Sequence, residues 1–116
     1  MEFLKKQAAD LGLPITVYYP AKKTLPIAVI TWQGSQPQLP SVVLNSHMDV
    51  VPVFADKWKH GPFDAEMDEE GRIFARGSQD MKCVATQYLG AIRALKKSGA
   101  TFKRTVHVIF VPGKYC

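Results

Sequence analysis

Three residues between positions 41 and 80 have the types and spacing for metal chemistry: His47, Asp49 and Asp80. Neutral imidazole and carboxylate are ligands that suit zinc. An apolar run, Ser41-Val42-Val43-Leu44, breaks into Asn45-Ser46-His47-Met48-Asp49-Val50-Val51-Pro52. A buried strand running out into a loop there lets the His47 ring face a cleft. Asp49 lies on the same side if the chain stays extended. Its carboxylate can then take the ring N–H that a metal leaves unused, which fixes the tautomer and raises ligand basicity. Asp80 sits in Ala75-Arg76-Gly77-Ser78-Gln79-Asp80-Met81-Lys82, a glycine turn where a helical pattern begins. A carboxylate there can bridge two metal ions. Each residue also has a plain alternative. An isolated histidine is usually held by backbone hydrogen bonds, Asp49 can close an Asx turn, and Asp80 can cap a helix N-terminus. Arg76 and Lys82 read as surface or orienting charges, His60 as a loop residue, and His107 as a structural residue of a strand.

The elements that would position these groups follow from periodicity. Residues 2–11 read as an amphipathic helix through Phe3, Leu4, Ala8 and Leu11, ended by Gly12 and Pro14. Ile15–Tyr19 and Ile27–Trp32 are β-branched and aromatic, and their spacing predicts an antiparallel pair. Val42–Asn45 lacks alternation and reads as a central strand covered on both faces. The span from Pro52 to Glu70 is a long irregular connection that packs its own aromatics over the surface, and such loops are often functional. Arg72–Ala75 is a short strand. From Asp80 to Lys97 the apolar positions recur at helical spacing up to Gly99. Val106–Val111 is a further buried strand. A helix between strands that run parallel makes an α/β sheet with helices on its faces, and ligands bind beyond the carboxyl ends of such strands.

Composition narrows the class. The chain has 116 residues, 47% of them hydrophobic, enough for one small domain with a core. The net charge of +5 comes as short pairs such as Lys5-Lys6, Lys22-Lys23 and Lys96-Lys97, which read as solvated surface and not as a nucleic-acid patch. Two cysteines make no disulfide framework, and Cys83 reads as a small buried hydrophobe. No signal-peptide core and no run long enough to span a bilayer is seen, so the expectation is a soluble cytoplasmic protein without a membrane partner.

Asn45–Pro52 resembles the first metal-ligand motif of the zinc-dependent exopeptidases of the aminoacylase/carboxypeptidase type. Ala75–Lys82 resembles their second motif, and the interval from 47 to 80, 33 residues, suits that family. Trp58 with Pro62-Phe63, and Val106 with Phe110-Val111-Pro112, are similar too. Gln79–Val84 and Val51–Phe54 look most like the aminoacylase branch, whose members remove N-acyl groups from amino acids. The resemblance implies a zinc-exopeptidase-like mixed sheet. It implies that His47 binds one zinc, that Asp80 bridges two, and that Asp49 orients His47. The implied chemistry is hydrolysis of a small N-acyl-L-amino acid to a carboxylate and a free amino acid. The metal pair would polarise the amide carbonyl, and a glutamate would act as general base.

The pattern departs after Phe110-Val111-Pro112. The family has an acidic run there that supplies the general base and another zinc ligand, whereas this sequence reads Gly113-Lys114-Tyr115-Cys116. Residues 1–116 are therefore expected to be an amino-terminal fragment of the catalytic domain, truncated, without the lid domain through which the family forms homodimers. The site would be incomplete and the short chain inactive alone. Lys114 would bring a cation near the metals, and Cys116 is a disfavoured substitute ligand. Val106–Val111 is expected to be an exposed apolar edge. A second reading is a non-catalytic short form that binds metal weakly or modulates a full-length partner.

Overall fold

The computed structural model describes residues 1–113. Lys114 and Cys116, with the expectations attached to them, lie outside the described residues. Helix α1 (Glu2–Leu11) buries Leu4, Ala8 and Leu11, an i, i+4, i+7 stripe. Gly12 ends it at φ 61°, a left-handed conformation that glycine adopts without a Cβ penalty. Strands β1 (Ile15–Tyr18) and β2 (Ile27–Trp32) pair antiparallel, as their spacing predicts. Strand β3 (Val42–His47) carries the histidine motif. Strands β4 (Glu66–Met67) and β5 (Ile73–Phe74) form a separate hairpin. Helix α2 (Cys83–Lys97) leads to β6 (Val106–Val111), which pairs parallel with β3 and antiparallel with β2. The sheet order is β1-β2-β6-β3.

The α/β architecture expected from the element order is present. The register sets Ala28 against Phe110 and Ile30 against Val108, and all four are buried. Leu4, Ala8 and Leu11 of α1 and Leu89 and Ile92 of α2 complete one core with them. Both helices thus share one strand face. The alternate residues Val29, His107 and Ile109 are half-buried. His107 Nδ1 meets Thr31 Oγ1 across the β2–β6 pair at 3.0 Å, in keeping with its structural reading.

Four expectations change. β3 is an edge strand of the described sheet, with Val42 and Val43 43% and 53% exposed. β6 lies between β2 and β3, so Val106–Val111 is a central strand and not the exposed apolar edge expected. Cys83 is half-exposed, and its Sγ donates to the Gln79 carbonyl at 2.7 Å. The connection between residues 52 and 70 contains β4, a strand of two residues whose length leaves no periodicity to read. Its hairpin is closed by Asp68, whose carboxylate accepts the backbone N–H groups of Glu70 and Arg72 and pairs with Arg72 Nε at 2.6 Å. The Arg72 backbone N–H holds the Asp68 carboxyl below its ordinary range. Among the described residues no helix is long and apolar enough to cross a membrane.

Candidate metal centre

β3 delivers His47 at its last position, opposite Val111 of β6. The Met48 N–H donates to the Val111 carbonyl at 2.8 Å, so the strand pairing persists one residue further. The His47 ring is buried, at 6% exposure. Its Nδ1 lies 3.1 Å from the Asp49 carbonyl oxygen and 3.1 Å from Asp49 Oδ1. Both partners are acceptors, so a ring proton on Nδ1 satisfies this side of the ring. On the other side of the ring, Nε2 lies 3.0 Å from Asp80 Oδ1.

This geometry has a chemical consequence. With the proton on Nδ1, Nε2 of a neutral imidazole is an acceptor, and so is a carboxylate oxygen. Two acceptors at this distance need a proton or a cation between them. Two ligands that each stand about 2.1 Å from one zinc at a tetrahedral angle are about 3.4 Å apart. The observed 3.0 Å reaches that arrangement with a small opening. The donor pair therefore fits zinc.

Asp80 reaches His47 by a turn that is not part of α2. The segment Ser78–Lys82 makes a single helical turn, in which Asp80 (φ −116°, ψ 94°) and Met81 (φ −141°, ψ 39°) are non-helical. The Asp80–Met81 peptide is cis. The N-cap of this turn is Gly77 and that of α2 is Lys82, so Asp80 stands at neither N-cap position. The Asp80 side chain stays 52% exposed and can meet a ligand from solvent.

Two contacts lock the motifs together. Lys82 Nζ donates to the Met48 carbonyl at 3.1 Å, which makes it an orienting charge. Gly77 sits at φ 85°, and a Cβ there would lie 2.5 Å from Val50 Cγ1. Gly77→Ala is expected to cost about 2–4 kcal/mol, from left-handed backbone strain and overpacking together. Urea unfolding of Gly77→Ala, Val50→Ala and the double variant should show a coupling of about 1 kcal/mol or more. Additive effects would mean that Val50 is not the obstacle.

The remaining candidates fall elsewhere. His60 stacks on Phe74 at 4.1 Å, and its Nδ1 meets Glu66 Oε2 at 2.9 Å. Arg76, read as a surface or orienting charge, is half-buried with its guanidinium 5.2 Å from the Trp58 ring centre. Eighteen positions separate the two, and only the folded connection shows the pairing. Phe54 and Phe63 of that connection remain 70% and 64% exposed. Among the described residues, no group of three or more His, Cys, Asp or Glu could hold a metal.

The sequence model of peptidase family M20/M25/M40 matches residues 43–113. Mouse aminoacylase-1 is 53% identical over 110 residues, 95% of this chain and 27% of its own length. Human aminoacylase-1 is 51% identical over the same span. The chain therefore spans about a quarter of the length of these relatives. Among solved structures, an M20 family metallo-carboxypeptidase from Sulfolobus solfataricus superposes with a TM-score of 0.78 at 24% identity, over 94% of this chain and 24% of its own. Human carnosine dipeptidase 1 superposes with a TM-score of 0.76 at 20% identity, over 96% of this chain and 25% of its own. At those identities the superpositions speak for the fold. The family match spans more than half of the sequence and includes both the histidine strand and the aspartate turn, and on that ground the chain belongs to peptidase family M20/M25/M40.

Proposed function

We propose that residues 1–116 form the amino-terminal part of the catalytic domain of a zinc-dependent amidohydrolase that acts on N-acyl-L-amino acids. The observation that carries this reading is the 3.0 Å approach of His47 Nε2 to Asp80 Oδ1, from motifs 33 residues apart. The identity to aminoacylase-1 supports the choice of substrate. His47 and Asp80 would hold the metal. When bound, zinc supplies Lewis-acid polarisation of an amide carbonyl and lowers the pKa of a bound water. Asp49 would accept a hydrogen bond from the Nδ1–H of His47 and keep the Nε2 lone pair directed at the metal position. The burial of the ring keeps water from competing for Nδ1. Lys82 holds the backbone between His47 and Asp49 through the Met48 carbonyl.

The chain alone is expected to release no methionine from N-acetyl-L-methionine when zinc is supplied. Zinc in a catalytic site normally has three protein ligands, and this chain brings two matched ones together. A chimera in which this chain replaces the matching quarter of mouse aminoacylase-1 should release methionine, and His47→Ala within it should not. A folded, zinc-loaded chimera without activity would overturn the reading. Turnover by the short chain alone would overturn its expected inactivity.

A further inference from the structure

His47 and Asp80 stand on separate elements, one at the end of β3 and the other in the turn before α2. Their facing atoms, Nε2 and Oδ1, attract each other only through a proton or a cation between them. The 3.0 Å spacing therefore needs support from the frame, and Lys82 is built into both halves of that frame. Its backbone N–H donates to the Gly77 carbonyl at 3.0 Å and closes the turn around Asp80. It is also the N-cap residue of α2, and its carbonyl accepts the Thr86 hydroxyl at 3.1 Å, so its backbone is seated at the helix start. From there its side chain reaches back to the Met48 carbonyl at 3.1 Å, in the peptide that joins His47's neighbour to Asp49. The Met48 N–H is in turn fixed on the Val111 carbonyl. The ammonium passes close to Gly77, where a Cβ would stand 3.4 Å from Nζ, so glycine leaves the path of the lysine clear.

We propose that Lys82 sets the spacing of the His47–Asp80 pair, and through it the size of the cation that the pair accepts. Lys82 acts through the backbone and is a positioning residue, not a ligand. The spacing rests on the two ends of Lys82 that join turn and loop; its consequence for a metal rests on the zinc reading of the pair. Zinc needs the pair to open from 3.0 Å to about 3.4 Å. A larger divalent ion such as cadmium needs a wider opening. A tether between turn and loop resists the wide opening more than the narrow one. Without it the pair is less well ordered for zinc and opens more easily for the larger ion.

The test uses the isotope-labelled 116-residue chain, with zinc and cadmium affinities read by competition against a chromophoric chelator. Lys82→Met should weaken zinc about tenfold, at the low end for loss of a group that supports a ligand, and cadmium by less than about threefold. Lys82→Arg keeps a cation that can reach the Met48 carbonyl and should hold zinc within about threefold of wild type. Loss of fold alone lowers both affinities by one factor and leaves their ratio unchanged. Lys82 is exposed, and Lys82→Gln carries the same test should Lys82→Met fail to fold. In the metal-free chain, Lys82→Met should shift the 15N resonance of His47 Nε2, which faces the turn, more than that of Nδ1, which Asp49 holds within its own loop. An unchanged zinc-to-cadmium ratio, or an Nε2 resonance that Lys82→Met does not move, would overturn the proposal, and zinc binding lost in His47→Ala would then leave the metal centre standing. A shifted Nε2 in a chain whose zinc binding ignores His47→Ala would keep the spacing role and remove the metalloenzyme reading.

Discussion

His47→Ala is expected to lower the zinc affinity of this chain by more than about a hundredfold. Removing an outer partner of a ligand already costs about 10–100-fold, and here one of two facing donors is lost. Asp80→Ala should match it, because Oδ1 is the other atom of the 3.0 Å pair. Asp49→Ala should cost less, about 10–100-fold, since it removes the Oδ1 contact to Nδ1 and leaves the Asp49 carbonyl in place. The ordering separates ligand from support. Competition against a chromophoric chelator would measure all three variants. Unchanged affinity in both His47→Ala and Asp80→Ala would remove the metal centre from the protein. A loss confined to Asp49→Ala would mean that zinc sits elsewhere.

Gly34→Ala is the second large effect, and it acts at the opposite end of β3 from His47. Gly34 is buried, and a Cβ on it would lie 2.4 Å from Arg104 C and 2.4 Å from the Lys103 oxygen. Both obstacles are backbone, so no side-chain rotation relieves them. The loop after β2 is laced to this segment: Gly34 N–H donates to Thr105 Oγ1, and Ser35 and Gln36 donate to the Phe102 and Lys103 carbonyls. Thr105 in turn accepts the Val42 N–H at 2.9 Å, at the start of the β3–β6 pair. A loss of about 3 kcal/mol is expected, at the upper end of overpacking costs. For a domain of this size that lowers the Tm by about 12–24 °C. A thermal melt within about 3 °C of wild type would show that the loop can move away freely.

Much of this was legible in the residues. The helix α1, the antiparallel β1–β2 pair and the crossover helix into a parallel strand all follow from periodicity and turn residues. His47, Asp49 and Asp80 could be singled out by type and spacing, and the fold brings the three together. What could not be read depends on neighbours. Val42–Leu44 and Val106–Val111 are both largely apolar, yet one is an edge and the other is central. A run records how apolar a strand is and not how many strands flank it. α2 starts at Cys83 and not at Asp80, because Met81 keeps the helical spacing while its backbone is non-helical. The pairing of Arg76 with Trp58 has no sequence signature, because the two lie 18 positions apart.

The parallel register of β3 with β6 also bears on how the site comes into being during folding. It pairs Val42 with Val106 and His47 with Val111, positions 64 apart. The chain must close that whole loop before any of these contacts repay the entropy. No local hairpin can assemble the histidine half in advance, because the strand on which His47 is seated is completed only when β6 arrives. A slip of one residue would send the ring to the other face of the sheet. The seating of His47 beside Asp80 thus depends on a long-range closure, and newly made chain passes through states in which the two residues are not yet neighbours.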